Sequence, residues 1–318
     1  MPPIIHVRAP ARLHLGFIDL HGGIGRRFGS IGLAITGLDA EISAQLTTSE
    51  GLEVHGLEIV RARAAATQTW AWLQARQGLR LEVRAVAPSH AGLGSGTQLA
   101  LAVAQALATL FARDCDIRTL APVVGRGARS GIGIAAFAQG GLLVDGGRGP
   151  SSPLAPLLAR LEFPPAWRIV LVFDHAHQGL NGAAERSAFE NLPPMSEQAA
   201  AALARWCLVG LLPALAEGDF VEFSRAVAEI QARVGAYFAP AQGGSAYTSE
   251  SVATAVAEIG HAFNLQGIGQ SSWGPTAFVF APDEACAAAI RDFGEARHPA
   301  LQFQIVAGCN HGASVESR

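Results

Sequence analysis

The first half of the chain alternates between strand-like and helix-like patterns of apolar and polar residues. Residues 4–9, 31–47 and 79–88 are apolar or strictly alternating, which predicts strands. A helical pattern over 61–78 ends at Gly78, a residue type common at helix C-termini, so that we expect this helix to end there.

A stretch rich in Pro, Gly and Ser at 146–156 is the best candidate for a domain edge. Beyond it, strands and helices mix without a regular repeat. The predicted elements there are strands at 167–173, 277–281 and 301–308 and helices at 197–216, 219–234, 248–264 and 283–296. The chain is therefore expected to form two α+β domains, residues 1–160 and 161–318.

Composition narrows the chemistry of any binding site. Half of the 318 residues are hydrophobic, enough for two sizeable cores, and the formal net charge is −3. The basic residues never cluster beyond pairs, which argues against a nucleic-acid partner. All 23 basic residues are arginine, which excludes a Schiff-base or Walker-type lysine. An anion site must use arginine, backbone N–H groups or a metal.

Cysteine spacing and hydropathy predict a cytoplasmic protein. The four cysteines form no CxxC pair, so that neither a zinc site nor a disulfide framework is indicated. The N-terminus lacks the apolar run of a signal peptide. The apolar stretch 199–215 is interrupted by Arg205 and Pro213, which favours a buried helix over a membrane span.

A glycine-rich turn, GLGSGT at 92–97, leads from the strand predicted at 79–88 into an apolar helix predicted over 97–112. Glycine permits positive φ and lets a ligand approach the backbone closely. The helix then offers free N–H groups and the positive end of its dipole to an anion. The turn predicts phosphate binding, although a tight turn with a helix cap is the structural alternative.

Three further segments carry polar groups beside predicted strands. The segment 9–35 is dense in charged and imidazole groups, and GRGARSG at 125–131 and SSWGPT at 271–276 are rich in glycine and serine. We expect the first to form a site wall and the second to reach an anion. The side chains concerned are Arg12, His14, Asp19, His21, Arg26, Arg27, Arg126, Arg129, Ser130, Ser271 and Ser272.

Three motifs resemble those of the GHMP kinases, which include galactokinase and the homoserine and mevalonate kinases. APARLHLG at 9–16, PSHAGLGSGTQLA at 88–100 and SSWGPTAFVFA at 271–281 resemble their first, second and third motifs. The resemblance spans the chain. It implies a two-domain GHMP kinase-like fold with a ferredoxin-like second domain, a ligand between the domains and a homodimer.

The departures from the kinase pattern concern groups that act on an alcohol. Phe17 and Ile18 follow the first motif, where the family has Glu-His. Gly133 stands where many of the kinases carry an aspartate near the hydroxyl to be phosphorylated. Residues 117–128 contain no acid, where many place a magnesium-binding glutamate. These departures argue against kinase chemistry.

A non-kinase branch, the β-ribofuranosylaminobenzene 5′-phosphate synthases, is more similar. RLHLGFIDLHGG, HAGLGSGTQ, RSGIG and SSWGPT resemble its motifs. The resemblance implies joining 4-aminobenzoate or 4-hydroxybenzoate to phosphoribosyl pyrophosphate, with release of carbon dioxide and pyrophosphate in methanopterin biosynthesis. No alcohol is deprotonated in that reaction, which suits glycine at position 133.

The resemblance and the residues together suggest roles. Asp19 and His21 are candidates for the para group of the benzoate or for Mg²⁺, and Arg26 and Arg129 complete the candidate catalytic set. Mg²⁺ leaning on substrate phosphates is the expected cofactor, with unknown protein ligands. Candidate substrate- and phosphate-binding residues are Arg12, His14, Arg27, Gly92, Leu93, Gly94, Ser95, Gly96, Thr97, Ser130, Ser271 and Ser272.

Two other functions remain open on the sequence. One is a GHMP kinase that transfers phosphate from ATP to a small alcohol. The other is a catalytically inactive sensor that binds a ligand and a protein partner. Nucleic-acid and membrane partners are not expected.

Overall fold

The computed structural model describes residues 2–179 and 182–318, apart from the side chains at 183, 184 and 186. Its strands are β1 (Ile4–Asp19), β2 (Phe28–Thr47), β3 (Leu52–Gly56), β4 (Gly78–Ala85), β5 (Leu142–Asp145), β6 (Leu157–Leu161), β7 (Arg168–Phe173), β8 (Ile268–Gln270), β9 (Ala277–Ala281), β10 (Gln302–Val306) and β11 (Ser314–Ser317). Its α-helices are α1 (Ile59–Leu73), α2 (Ser95–Leu110), α3 (Ile117–Val123), α4 (Ile132–Gln139), α5 (Gly182–Asn191), α6 (Glu197–Trp206), α7 (Leu212–Glu217), α8 (Phe220–Phe238), α9 (Glu250–Phe263) and α10 (Glu284–Arg297). A π-helical turn, Cys207–Leu211, joins α6 to α7.

The first sheet is built around the long antiparallel hairpin of β1 and β2. The strand order is β11-β1-β2-β4-β3, with β5 pairing a second stretch of β2 and β6 pairing β5. The register of the hairpin shifts between His14 and Gly16. Such bulges re-aim the side chains that follow them. The C-terminal strand β11 pairs with β1, so that the end of the chain returns to the first sheet.

The second sheet has the order β10-β7-β9-β8, and all its neighbouring strands are antiparallel. Helices lie between β7 and β8 in the chain, and α10 lies between β9 and β10. This β-α-β-β-α-β succession is ferredoxin-like. The predicted two-domain α+β fold with a ferredoxin-like second part is confirmed.

Helix α2 is apolar on nearly all sides and lies in the core. It packs against α1, β1 and β2, and most of its residues are buried. A helix that is hydrophobic all round is expected in such a place. This packing fixes its N-terminus, and with it the glycine-rich loop, against the first sheet.

The expected end of α1 at Gly78 is wrong. The helix ends at Leu73, where Gln74 takes the left-handed conformation, and Gly78 opens β4 instead. A Cβ on Gly78 would lie 1.6 Å from the Ser49 carbonyl oxygen. The glycine is therefore needed for close approach of two backbones and not for a helix cap.

The helical run Glu197–Glu217 is buried along one face only, which corrects the expected buried helix. This run is long and apolar enough to cross a membrane, and it is the one helix in the described part of the chain that meets both conditions. Ala200, Leu203, Cys207 and Leu211 face the core shared by the two sheets, whereas the opposite side is exposed.

Candidate active site

Ser271 joins the three sequence motifs at one point. Its Oγ accepts a hydrogen bond from the His14 N–H at 2.9 Å and donates one to the Gly92 carbonyl at 2.8 Å. The Arg12 N–H donates to the Leu93 carbonyl at 3.1 Å. Because Ser271 is fully buried with both bonds made, its hydroxyl holds the first, second and third motifs together.

The glycine loop has a backbone that requires glycine at two positions. Gly92 and Gly94 have φ of 78° and 75°. A Cβ on Gly92 would also lie 2.1 Å from the Ser271 carbonyl oxygen. Helix α2 begins at Ser95, and the N–H groups of Ser95 and Gly96 have no acceptor within residues 2–179 and 182–318. Free N–H groups at a helix N-terminus are suited to an anion.

A cavity of about 270 Å³, here called the loop pocket, opens over this loop. Its charged lining consists of Arg12, Arg61, Arg126 and one acid, Glu185. The remaining lining residues are His90, Gly92, Leu93, Gly94, Ser95, Gly96, Thr97, Gly182, Ser272, Trp273 and Gly274. The predicted phosphate loop and Ser272 therefore share one cationic cavity.

Several arginine nitrogens around the loop pocket are buried without a partner in the described chain. They are Arg12 Nε, Arg126 Nε and Arg129 Nη1. Burial lowers the pKa of Arg12 to about 10, and burial and then the neighbouring Arg61 lower the pKa of Arg126. Arg12 stays charged at neutral pH. Three arginines share one acid, Glu185, in the described lining of the loop pocket, and buried cations with so few counter-charges are unfavourable, so that this arrangement is suited to a polyanion.

Arg61 is a site residue that the sequence did not reveal. It projects from α1, where it reads as one of several arginines on a solvated helix face. Its guanidinium donates to Ser89 Oγ at 2.9 Å and lies 2.7 Å from His90 Nε2. It also approaches Glu58, with Nε 3.4 Å from the carboxylate. Contacts on both sides hold Arg61 at the edge of the loop pocket.

Arg129 lies between the loop pocket and an aromatic cluster. It donates to Glu185 at 2.8 Å, and its guanidinium carbon lies 5.0 Å from the centre of the Phe189 ring. Phe189 contacts Phe17 and Trp273 edge-on. The guanidinium is thus held by one carboxylate and one ring on α5, and Nη1 has no partner among the described residues.

His14 is enclosed beside the same cations. Both its ring nitrogens are buried without a partner in the described chain, and its ring lies 4.6 Å from that of Phe17. Burial, and after it the nearby charges of Arg12 and Arg129, lower the pKa of His14 to about 3. His14 is therefore neutral at physiological pH and presents one donor and one acceptor beside Arg12.

The depressed pKa of His14 makes stability depend on pH. Below about pH 6.5 the unfolded histidine takes up a proton that the buried one refuses until about pH 3, so that stability falls as the pH falls. We expect the free energy of unfolding to fall less steeply below pH 6.5 in His14→Gln, by up to about 1.4 kcal/mol per pH unit. Urea titrations from pH 7 to 4 measure this. His55→Gln, at an exposed histidine, is the control, and parallel wild-type and His14→Gln profiles would contradict the prediction.

Gly133 lies in close contact with Thr97 at the position where many kinases have an acid. It lies in the first turn of α4, where a Cβ would be 2.9 Å from Thr97 Cγ2. Its carbonyl accepts a hydrogen bond from the buried Gln98 at 2.8 Å. Helix α2 packs directly on α4, so that an aspartate here requires a displacement of Thr97.

A second cavity, here called the hairpin pocket, has a volume of about 460 Å³ and lies at the tip of the β1–β2 hairpin. Alanines from α6 form one wall, and Ile18, Ile24 and Leu158 add apolar surface. The remaining lining residues are Asp19, His21, Gly23, Arg26, Arg27, Gly29, Asp145, Gly146, Glu197, Ala200, Ala201 and Ala204. Four predicted site residues, Asp19, His21, Arg26 and Arg27, thus share this mainly apolar cavity.

Contacts with Asp19 hold the backbone of His21, and a contact with Met195 sets the tautomer of its ring. Asp19 Oδ1 accepts hydrogen bonds from the N–H groups of His21 and Gly22 at 2.8 and 2.9 Å. His21 Nδ1 lies 2.8 Å from the Met195 carbonyl oxygen, which can only accept, so that Nδ1 carries the proton. In the neutral ring, Nε2 is then an acceptor at the hairpin pocket.

Arg26 and Arg27 are exposed at the hairpin tip and take different directions. Arg26 donates to the Gly147 carbonyl at 3.0 Å, and Arg27 lies over the Phe28 ring at 5.8 Å. Both line the hairpin pocket. Their guanidinium groups retain donors for a carboxylate or phosphate.

Asp145 organises the backbone between the two pockets. Its buried carboxylate accepts from the N–H groups of Ser30, Gly131 and Gly147 at 3.1, 2.8 and 2.9 Å, and from Ser130 Oγ at 3.3 Å. Burial raises the pKa of Asp145, and these hydrogen bonds oppose the rise. The predicted site residue Ser130 thus contacts Asp145, and the segment after Arg129 is tied to the hairpin pocket.

The protein supplies few ligands for the expected Mg²⁺. In the described parts of the chain, three or more His, Cys, Asp or Glu side chains do not gather at any point. The loop pocket offers the carboxylate of Glu185 and the hydroxyls of Ser95 and Thr97. Such a sparse oxygen set fits a magnesium ion held mainly by substrate phosphates and water.

Family comparisons agree with the fold. Residues 58–141 match the family described as GHMP kinases N terminal domain, and residues 211–299 match GHMP kinases C terminal. A homoserine kinase from Cytophaga hutchinsonii is 17% identical, with a TM-score of 0.67 over 98% of this chain and 97% of that one. A mevalonate kinase from Methanococcus jannaschii is 12% identical, with a TM-score of 0.69 over 96% and 98%. At these identities the structures show a shared fold only.

Sequence relatives are more specific. A beta-ribofuranosylphenol 5′-phosphate synthase from Archaeoglobus fulgidus is 32% identical over 98% of this chain and 100% of the relative. The synthase of that name from Methanothermobacter thermautotrophicus is 31% identical over 71% and 74%. The chain is therefore an enzyme of the GHMP kinase superfamily and belongs to the beta-ribofuranosylphenol 5′-phosphate synthase family.

Proposed function

We propose that the enzyme joins phosphoribosyl pyrophosphate to 4-hydroxybenzoate or 4-aminobenzoate and releases carbon dioxide and pyrophosphate. The observation that carries this proposal is the loop pocket, where several buried guanidinium nitrogens lack partners in the described chain. Such a pocket suits a leaving group of high negative charge. The packing of Gly133 on Thr97 supports a reaction that needs no acid there to activate an alcohol.

The bond changes balance as follows. The ring carbon that bears the carboxylate attacks the anomeric carbon, and the bond from that carbon to the pyrophosphate oxygen breaks with its electron pair. The sugar passes through a state of oxocarbenium character. The bond from the ring carbon to the carboxylate then breaks, carbon dioxide leaves, and its electron pair restores the aromatic ring. Negative charge develops chiefly on the departing pyrophosphate.

The loop pocket would stabilise that charge. The N–H groups of Ser95 and Gly96 and the guanidinium groups of Arg12 and Arg126 are positioned before the reaction, so that little reorganisation is needed. Arg129 would reach the anion when its bond to Glu185 is exchanged. Mg²⁺ would neutralise further phosphate charge when bound.

The hairpin pocket would hold the aromatic acid. Its alanine wall and the side chains of Ile18 and Ile24 suit a flat ring. His21 Nε2 would accept a hydrogen bond from the para substituent, and Arg26 or Arg27 would pair with the 5′-phosphate or the benzoate carboxylate. Residues 129–131, tied to Asp145, would link this pocket to the pyrophosphate.

The decisive test is incubation with phosphoribosyl pyrophosphate, Mg²⁺ and either benzoate labelled in its carboxylate. We expect labelled carbon dioxide and pyrophosphate in equal amounts. A parallel incubation with ATP and homoserine or mevalonate tests the kinase alternative and is expected to give no ADP above background. ADP release without carbon dioxide would favour the kinase, and ligand binding without any product would favour the inactive sensor.

His21 should distinguish the two benzoates. A phenol donates electrons better after losing its proton, which Nε2 can accept, whereas an amine already donates as the neutral group. We expect His21→Gln to lower kcat with 4-hydroxybenzoate by about 10²-fold and with 4-aminobenzoate by no more than about threefold. His175→Gln is the control at an exposed histidine. Equal losses with both acceptors would remove His21 as the proton acceptor.

A further inference from the structure

Arg61 is held by contacts on all three nitrogens of its guanidinium. Nε lies 3.4 Å from the Glu58 carboxylate, Nη1 donates to Ser89 Oγ at 2.9 Å, and Nη2 lies 2.7 Å from His90 Nε2. Ser89 Oγ in turn donates to Glu58 Oε1 at 2.7 Å. Because a guanidinium has five N–H donors, each terminal nitrogen keeps one donor without an acceptor in the described chain.

The backbone takes an uncommon conformation at two residues of this cluster. Glu58 and His90 have φ of 49° and 60°, a region that residues other than glycine seldom adopt. The His90 carbonyl accepts a hydrogen bond from the Gly179 N–H at 3.1 Å, which helps to hold the residue there. Strained conformations persist where the surrounding contacts fix them, and they are concentrated at functional sites. The cluster therefore holds Arg61 in one direction although its own backbone is strained.

Arg61 is directed toward the start of helix α2. A Cβ on Gly96 would lie 3.9 Å from Arg61 Nη1 and 3.7 Å from Arg126 Nη2. The N–H group of Gly96 also has no acceptor in the described chain. Two guanidinium groups and a helix N–H group thus surround one small volume of the loop pocket, and this volume suits a single phosphate group.

This volume lies away from the side of the loop pocket that leads to the hairpin pocket. Arg129 and the residues after it tie the two pockets together, whereas Arg61 comes from α1 and does not line the hairpin pocket. With the sugar and the benzoate on the side of the hairpin pocket, the phosphate farther from the sugar lies toward Arg61.

We propose that Arg61 binds this outer phosphate of the pyrophosphate group and that uncharged His90 is the positioning residue that holds Arg61 for the contact. The identity of the anion rests on the proposed function, whereas the dependence of Arg61 on His90 does not. Arg61 and His90 thereby distinguish a pyrophosphate group from a single phosphate.

The contact between Arg61 and His90 requires an uncharged imidazole. A guanidinium only donates, so that His90 Nε2 accepts and Nδ1 carries the ring proton. A second proton, on Nε2, would place two donors and two positive charges 2.7 Å apart and release Arg61 from His90. Burial and then the neighbouring Arg61 lower the pKa of His90, and Glu58 opposes this. His90 is therefore uncharged at neutral pH and becomes charged only below about pH 6.5.

The other groups that face the loop pocket leave His90 as its pH-dependent cation. The remaining charged residues are Arg12 on β1, Arg126 after α3 and Glu185 on α5. His90 is the only histidine in the described lining of this pocket, and the nearby His14 stays uncharged down to about pH 3. A cation gained by the loop pocket between about pH 8 and 5 is therefore His90.

Calorimetric titration with inorganic pyrophosphate and Mg²⁺ tests the proposal without turnover. At pH 8 we expect Arg61→Ala to raise the dissociation constant at least about tenfold. His90→Gln, whose amide oxygen can accept from Arg61, should change it by less than about threefold at that pH. At pH 5 the wild type should bind about tenfold more weakly than His90→Gln, because only the wild type becomes charged there. Comparing variants at one pH cancels the protonation of pyrophosphate itself.

A double variant separates positioning from direct contact. In Arg61→Ala, the further change His90→Gln should have no effect at either pH, since His90 then has no arginine to hold. Arg63→Ala removes an exposed arginine from the same helix, and His261→Gln removes an exposed histidine from α9. Both are matched controls and should bind as the wild type does. Circular dichroism at both pH values confirms the fold of every variant.

Four outcomes would overturn the proposal. They are wild-type affinity in Arg61→Ala, an equal response of wild type and His90→Gln to pH, wild-type binding that becomes the tighter of the two at pH 5, and an effect of His90→Gln that persists without Arg61. The last two would mean that His90 contacts the anion itself. Pyrophosphate binding as expected, in a preparation that releases no carbon dioxide from the benzoates, would refute the proposed function alone.

Discussion

Replacing Arg126 by alanine should lower kcat/KM for phosphoribosyl pyrophosphate by about 10²- to 10³-fold while leaving the folded chain at least as stable. The guanidinium lines the loop pocket, its buried Nε has no partner in the described chain, and it forms no ion pair with a described carboxylate. Its removal therefore relieves the free chain of an unfavourable buried cation. The same removal deprives the departing pyrophosphate of a fixed counter-charge, for which about 3–4 kcal/mol of barrier is a typical effect.

The opposite signs of the two effects make this prediction specific. Steady-state kinetics and urea unfolding of the same preparations measure both. Arg126→Lys should recover part of the activity, because it restores the charge without the planar fork. Arg113→Ala removes an exposed arginine and should change neither quantity. If Arg126→Ala were less stable and fully active, Arg126 would be a structural residue and the pyrophosphate would bind elsewhere.

The sequence anticipated the elements whose hydrophobic period is regular. The apolar helix predicted over 97–112 is α2, Ser95–Leu110, because a segment apolar on all sides has to be buried. The alternating segment 79–88 is β4, Gly78–Ala85. Such local patterns decide secondary structure when burial and period agree.

Long-range pairing explains what the pattern missed. β1 continues to Asp19, well past the predicted end at residue 9. Arg12 and His14 interrupt the local pattern of apolar residues, and pairing with β2 is what keeps this stretch in the sheet. The short β11 is exposed, and only its hydrogen bonds to β1 define it. Neither partner strand is visible in a local window of sequence.

In the candidate site, too, some residues could be found from local sequence and others only from the tertiary structure. Glycine spacing drew attention to the loop, because backbone conformation and close approach demand glycine, and the structure places this loop in one cavity with Arg12 and Ser272. Arg61 reaches that cavity from α1, and a single arginine on a helix carries no local signal. The separation of the hairpin residues from the loop pocket also depends on tertiary structure.

The sequence around Asp145 indicates a special position, but only the tertiary contacts of its carboxylate show what it does. The acid ends an apolar strand and precedes two glycines, an arrangement typical of a turn or site. Its carboxylate accepts hydrogen bonds from Ser30, 115 positions away in the sequence, as well as from Gly147 in its own turn. Sequence alone cannot tell whether such an acid serves a ligand or the backbone.

Asp145→Asn should therefore be the most destabilising of the conservative changes considered, lowering the free energy of unfolding by about 3–5 kcal/mol. Asparagine keeps the shape but turns an NH₂ group toward the N–H and hydroxyl donors that the carboxylate now accepts. Buried donors left facing another donor lose their hydrogen bonds and remain desolvated. Urea unfolding measures the loss, and Asp292→Asn, at an exposed acid, is the control that should change stability by less than about 0.5 kcal/mol.

The same substitution should impair catalysis even where the chain remains folded. Ser130 and Gly131 depend on this carboxylate, and they directly follow Arg129, whose guanidinium reaches Glu185 at the loop pocket. Without these hydrogen bonds, Ser130 and Gly131 shift and displace the segment between the two pockets. Small displacements of positioning groups can reduce rates by about 10²-fold. We expect kcat to fall at a temperature where circular dichroism shows full folding. A variant with wild-type stability and kcat would show that Asp145 neither organises this backbone nor positions Arg129.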